Sequence, residues 1–226
     1  MICAVIPTRY HPPELFRLLG VLVADSVCVH LIVDPHESEH RLHRMWNDGC
    51  DAARAHGATC IAVLNDDITI LPGTLPLFAE ALEARRELGA VHPDYTARWT
   101  LPKQARSIET ERMLTGACFM FRAEIAVRFD ESLHFWYGDQ QFDRDLRAAG
   151  WGVGCVVGVP YRHKPESSTT RAWDYLAPIV AEDERRWLAR GGSSANDRRT
   201  LKVQSTPSVG GFAATYSELH QGSSYR

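Results

Sequence analysis

This chain of 226 residues predicts an α/β fold, with one central, mostly parallel sheet flanked by helices. Three observations carry that prediction. Apolar runs of buried-strand character at residues 2–6, 27–33 and 60–64 alternate with segments of helical periodicity, as a parallel sheet with crossover helices requires. Each run ends at polar or turn-forming residues: Pro7-Thr8-Arg9, Asp34-Pro35 and Asn65-Asp66-Asp67. The length suits a single core with a terminal extension rather than two full domains.

Residues 2–6 form the first strand, and Pro12-Pro13 leads into a helix carrying Leu15, Leu18, Leu19, Leu22 and Val23 at helical spacing. A strand over 27–33 is followed by a helix from about 41 to 55 and by the third strand, 60–64. Pro72-Gly73 precedes a helix through Leu75, Phe78, Leu82 and Leu88, and Ala90-Val91 makes a short fourth strand. The long loop over 93–108 holds Tyr95, Arg98 and Trp99, and loops of that length often cover a ligand. Thr115-Gly116 opens the apolar run 117–121, with a short helix after it. A helix over about 140–149 ends at Gly150, the expected C-terminal glycine. Residues 152–159 give the last strand, and Tyr161-Arg162-His163 follows. A helical pattern over 171–190 carries Trp173, Leu176, Ile179, Val180 and Trp187, and Gly191-Gly192-Ser193-Ser194 marks a boundary. The division is a Rossmann-like domain over 1–190 and a Ser/Gly-rich tail over 191–226, flexible or interface-forming.

The net charge of -3, with both signs mixed along the chain, argues against a nucleic-acid partner or an anionic membrane surface. A small-molecule or glycan partner fits better. Six cysteines at 3, 28, 50, 60, 118 and 155 form no CxxC pair and mostly sit in apolar runs, as buried thiols in a reducing compartment do. No stretch approaches the roughly 20 apolar residues of a membrane span. The expectation is a cytoplasmic protein with no transmembrane segment.

Strand ends of an open parallel sheet converge on one crevice. The polar stations there are Pro7-Thr8-Arg9, Asp34, Asn65-Asp66-Asp67 and His163. The acidic tripeptide either holds a cation, since hard divalent ions take oxygen ligands, or begins a turn and caps the helix near Thr74. His163 is either a hydrogen-bonded surface residue or a metal ligand. Asp139 is either an N-cap or a base that accepts a proton from a hydroxyl nucleophile, with the flat face of Trp136 offered to a sugar ring. Trp99 and Arg98 either clamp a donor or acceptor or pack a loop. Asp143 and Asp145 fit a solvated face near Arg144 and Arg147. His36, His40 and His43 fit exposed positions beside the crevice better than a zinc site, because no further ligands close one.

The series Ala4-Val5-Ile6-Pro7-Thr8-Arg9, Leu31-Ile32-Val33-Asp34, Asn47-Asp48-Gly49, Leu64-Asn65-Asp66-Asp67, Thr115-Gly116-Ala117, Phe129-Asp130-Glu131, Gly138-Asp139-Gln140 and His163 resembles a family 2 glycosyltransferase with the GT-A fold, in order and spacing, from residue 2 to about 170. The resemblance implies that Pro7, Thr8, Arg9 and Asp34 hold the nucleotide base and ribose of a nucleoside-diphosphate sugar donor. It implies that Asp67 is the last aspartate of a DxD motif, coordinating Mn2+ or Mg2+ with the late histidine His163. Asn65 and Asp66 border the nucleotide, Asn65 being a departure from the usual aspartate. Asp139 matches the general base of an inverting transferase, although the preceding Glu of the family's pair is Gly138 here. Gly116, Trp136 and Trp99 are the candidates for contact with the donor or acceptor sugar. The acceptor would be a glycan, a protein or another hydroxyl compound, and a homo-oligomer built through the last helix or the tail is compatible with their composition. Two other readings keep the fold: a nucleotidyltransferase, whose glycine-rich, lysine-containing loop is missing after the first strand, and a non-catalytic nucleotide-sugar-binding module.

Overall fold

Pairing of the first three apolar runs builds the frame of the sheet. In the computed structural model, β1 (Ile2–Thr8) lies between β2 (Cys28–Val33) and β3 (Cys60–Leu64) and runs parallel to both. Cys3 stands opposite Cys28 and Ile61, and Val5 opposite His30 and Val63. Flanked on both edges, residues 3–6 have no exposed surface. A strand buried on both faces is a continuous apolar run rather than an alternation.

The described residues are 1–9, 12–34, 41–100, 107–110, 112–114, 116–163 and 173–193. Three further short strands, β4 (Ile68–Ile70), β5 (Leu88–Pro93) and β6 (Ile108–Glu109), precede β7 (Cys118–Arg122), β8 (Gly152–Val156) and β9 (Tyr161–His163). The main sheet has the order β2-β1-β3-β7-β5-β8-β6, and β4 pairs with β9 in a separate two-stranded ribbon. Only β6 and β7 run antiparallel to their neighbours in the main sheet, so five of its seven strands point one way.

Helices α1 (Pro13–Ala24) and α3 (Thr74–Ala84) pack Leu15, Leu18, Leu22, Leu75 and Phe78 into a core with Ala4 and Ile6 of β1. Helices α2 (Leu42–Ala55) and α4 (Gly138–Ala148) pack Trp46, Cys50, Ala53, Phe142 and Leu146 into a second core with Cys3 and Val5. Alternate residues of one strand thus face opposite layers, the arrangement of a doubly wound α/β fold. The close seat of α2 depends on Gly49, where an added Cβ would stand 2.3 Å from a methyl of Val5.

Several local expectations are corrected. Leu88 belongs to β5 rather than to the preceding helix, which ends at Ala84. The buried Arg122 donates from Nε to the carbonyl of Leu88 at 2.8 Å and from Nη2 to those of Leu82 and Arg85, closing the helix end and turning the chain back. β5 spans six residues rather than Ala90-Val91 alone, and β8 stops at Val156 instead of 159. No helix follows β7 before α4. That stretch is instead fastened to α2 by Asn47, whose Nδ2 donates to the Phe129 carbonyl and to Glu131 Oε1, both at 2.9 Å, while its Oδ1 accepts from the Phe129 amide. Asp143, expected on a solvated face, is buried, accepting from Arg147 at 2.9 Å and from the Leu114 amide at 3.3 Å.

By contacts the chain divides into two units, Met1–His163 and Lys164–Arg226. In the second, α5 (Trp173–Ala189) buries Leu176, Val180, Asp183 and Trp187 along one stripe. It closes where the Trp187 indole donates to the Ser193 carbonyl at 3.0 Å. No described helix is long and apolar enough to cross a membrane.

Candidate functional site

The connection from β1 to β2 uses α1 on one face, and that from β2 to β3 uses α2 on the other, so the winding reverses between β1 and β3. Open α/β sheets bind ligands at the carboxyl ends of the strands at such a point. Two predicted residues meet there: the Thr8 hydroxyl, at the last position of β1, donates to Asp66 Oδ2 at 2.6 Å. From the outer side the Asp34 amide donates to the Thr8 carbonyl at 3.0 Å, fixing the end of β2 against the same station. Pro7 lies within β1, and Arg9 follows at the bend.

Asn65-Asp66-Asp67 forms the turn between β3 and β4, and α3 is capped by Gly73 in the left-handed conformation, so the acidic residues do not cap that helix. Antiparallel pairing of β4 with β9 sets Ile68 opposite His163. His163 Nε2 consequently stands 2.9 Å from Asp67 Oδ1, with 12% and 9% of the two side chains exposed. These residues, 96 positions apart, form a largely buried imidazole–carboxylate pair at the carboxyl ends of the strands. In this arrangement the ring nitrogen donates and the carboxylate accepts.

A second chain of contacts reaches Asp139. The Asn65 amide donates to the Ala117 carbonyl at 2.9 Å, and the neighbouring Gly116 amide donates to Asp139 Oδ2 at 2.9 Å. A Cβ on Gly116 would come within 3.1 Å of that carboxylate, so glycine permits the close approach. Asp139 occupies the first turn of α4, where the helix dipole favours negative charge. The helix is capped by Tyr137, in the left-handed region at φ 67°, and not by Asp139. Trp136 is half-buried and meets Tyr137 edge-on, with ring centroids 6.2 Å apart. Trp99 lies under the Arg162 guanidinium, 4.4 Å from its ring centroid, which attaches the 93–100 loop to β9 beside His163.

The predicted residues thus fall into two linked groups, Thr8, Asp34, Asp66, Asp67 and His163 in one and Gly116 and Asp139 in the other, joined through Asn65.

No family model matches the chain, and no curated protein matches it either. Solved structures do. The likeness to them is one of fold. The crystal structure of S. aureus TarS 1-349, a staphylococcal glycosyltransferase, superposes with TM-score 0.53 at 11% identity, covering 80% of this chain and 64% of that one. A longer S. aureus TarS structure gives 0.53 at 13% identity, covering 80% and 39%. A197 from STIV gives 0.50 at 11% identity, covering 72% of this chain and 85% of that one. The chain spans under two thirds of either TarS structure.

Sequence reasoning missed His43. Expected on the surface, it is fully buried in α2, its Nδ1 hydrogen-bonded to the Leu133 carbonyl. An added Cβ on Gly138 would stand 2.0 Å from His43 Nε2. The imidazole therefore occupies the space that a side chain at 138 would need, directly before Asp139. The absent Glu at 138 was the available signal. His36 and His40, the other members of that histidine series, lie outside the described residues, as do Pro35, Thr115, the 101–106 part of the loop and the tail from 194.

Proposed function

We propose that the chain is a family 2-type, metal-dependent inverting glycosyltransferase, moving a sugar from a nucleoside-diphosphate sugar to an acceptor hydroxyl. The observation that carries the reading is the junction at the winding reversal, where the Thr8–Asp66 bond and the Asp67–His163 pair lie on the same turn. Thr8, Arg9, Asp34 and Asp66 bind the nucleotide, and the half-buried Trp136 offers a face to a sugar. Asp67 and His163 suit Mn2+ or Mg2+. Two ligand atoms on one edge of an octahedron with bonds of 2.0–2.1 Å are about 3.0 Å apart, and theirs are 2.9 Å apart. His163 would give up its ring proton on that side to ligate. A bound divalent cation supplies positive charge to the diphosphate as it departs.

Asp139 takes the proton of the acceptor hydroxyl while its oxygen attacks the anomeric carbon, and the nucleoside diphosphate leaves with the electron pair of the broken C–O bond. The Gly116 amide holds one oxygen of that carboxylate in place. The test is a thermal-shift panel of UDP-, GDP- and dTDP-sugars with and without Mn2+, since a ligand of the folded state raises stability with the logarithm of its concentration over Kd. One donor should raise Tm only with metal. Asp67→Ala should abolish that shift, and Asp139→Asn should keep it while losing about 10²–10⁴-fold in transfer rate. No shift with any donor, or normal turnover by Asp139→Asn, overturns the assignment.

A further inference from the structure

At the opposite end of β1 from the crevice, two cysteines and a histidine converge across the edge of the sheet. Cys3 and Cys28 are direct cross-strand partners in the β1–β2 pairing. His30 lies two residues beyond Cys28, so all three side chains project from the same face, the one covered by α2. Their ligand atoms lie within 4.8 Å of one another, with Cys28 Sγ 3.9 Å from His30 Nε2. A tetrahedral zinc ion with Zn–S of 2.3 Å and Zn–N of 2.0–2.1 Å needs an S···N edge of about 3.6 Å and an S···S edge of about 3.8 Å. The observed spacing approaches that geometry with no change of backbone. Five residues of strand at about 3.3 Å each separate Cys3 from Thr8, about 16 Å, so this cluster is distinct from the Asp67–His163 pair.

We propose that Cys3, Cys28 and His30 bind one soft transition-metal ion, zinc by preference, as a clip between β1 and β2, with a water molecule as the fourth ligand of the tetrahedron. Two thiols release their protons to solvent, and the resulting thiolates neutralise the divalent charge, which suits a site whose deepest ligand, Cys3, has no exposed surface. Thiolate and imidazole donors select zinc over the hard ions that suit carboxylates. Burial, reinforced by the neighbouring Cys28, pushes the Cys3 thiol up to about 11, so without metal it stays protonated. Burial and the charge of His56 lower the His30 pKa, keeping its ring neutral and able to ligate. The His56 ring, following the C-terminal end of α2, stacks on that of His30 with centroids 4.9 Å apart.

The experiment titrates reduced, metal-stripped full-length protein with Co2+ and follows its visible spectrum. One equivalent should give tetrahedral d–d bands with thiolate-to-cobalt charge transfer, displaced by one equivalent of Zn2+. Cobalt at an aspartate–histidine site lacks that charge-transfer band, so the two sites are told apart. Cys28→Ser and His30→Ala, both at half-buried positions, should keep the fold by circular dichroism and each weaken cobalt binding at least tenfold. Asp67→Ala should leave the band unchanged. Absence of the charge-transfer band, its persistence at full affinity in both Cys28→Ser and His30→Ala, or a Cys3–Cys28 disulfide in the protein as isolated would overturn the proposal.

Discussion

The most consequential single residue beside the candidate site is one with no side chain. Gly138 lets the buried ring of His43 lie against α4 just before Asp139, and an added Cβ would meet that ring at 2.0–2.6 Å. His43 is held from below by its bond to Leu133, and its ring tilts against Trp46 at 5.1 Å, so it has little room to retreat. Gly138→Ala should therefore destabilise by about 1–3 kcal/mol, the usual range for overpacking a filled core. In a His43→Ala background the same change should cost much less, because the clash is gone. A double-mutant cycle read by urea denaturation measures this coupling; equal costs in the two backgrounds would show that the ring yields freely. Neighbouring sites need no such coupling to be explained: Gly49 is required by Val5 and Gly116 by the Asp139 carboxylate, each through a close approach.

Among the elements, α3 shows why its boundary was hard to read. Leu75, Phe78 and Leu82 sustain a helical period that Leu88 extends in the sequence, yet the helix ends four residues earlier, at Ala84. The stop is imposed from far away in sequence by Arg122 of β7, which donates to carbonyls at 82, 85 and 88 and places a cation at the negative end of the helix dipole. Arg122→Met should lower stability by at least about 2 kcal/mol, since buried carbonyls lose their partners. Arg122→Lys should recover only part, lacking the planar fork. Chemical denaturation of the three proteins checks the order, and equal midpoints for arginine and methionine would remove Arg122 from this role. The same distance problem hid β4 and β6: Ile68-Thr69-Ile70 has strand character, but three residues carry too little pattern without knowledge that residues 161–163 lie alongside. Long apolar strands such as β1 and β3 needed no such partner to be recognised. Their polar ends were legible for the same reason, whereas the pairing of Asp67 with His163 depends on the β4–β9 ribbon and became visible only in three dimensions.

Across the whole molecule, groups buried at the carboxyl end of β5 make stability depend on acid. His92 has no exposed surface, its Nδ1 donates to the Pro93 carbonyl at 3.0 Å, and its Nε2 is buried without a hydrogen-bond partner. Burial lowers its pKa from 6.5 to about 4, against opposing contributions from the Pro93 carbonyl and from Asp143. Beside it, burial of Asp94 is outweighed by bonds from Thr96, Arg112 and the Gly158 amide, which hold its carboxyl below the usual 3.8. For His92 the unfolded chain binds the proton more readily than the native one, so its contribution is complete above pH 6.5 and is lost as pH falls toward 4. The 2.5-unit difference corresponds to about 3 kcal/mol. Asp94 acts in the same direction at lower pH, its contribution lost as pH falls below 3.8 through its depressed native pKa. Both terms therefore weaken the fold in acid, and the histidine acts first. Urea midpoints of the wild-type chain should hold from pH 7.5 to about 6.5 and then fall down to pH 4.5. His92→Leu, which keeps an apolar group of similar size in the core, should flatten that fall by about the histidine's share. If the variant's slope matched the wild type's, the acid sensitivity would have to come from groups elsewhere in the sheet.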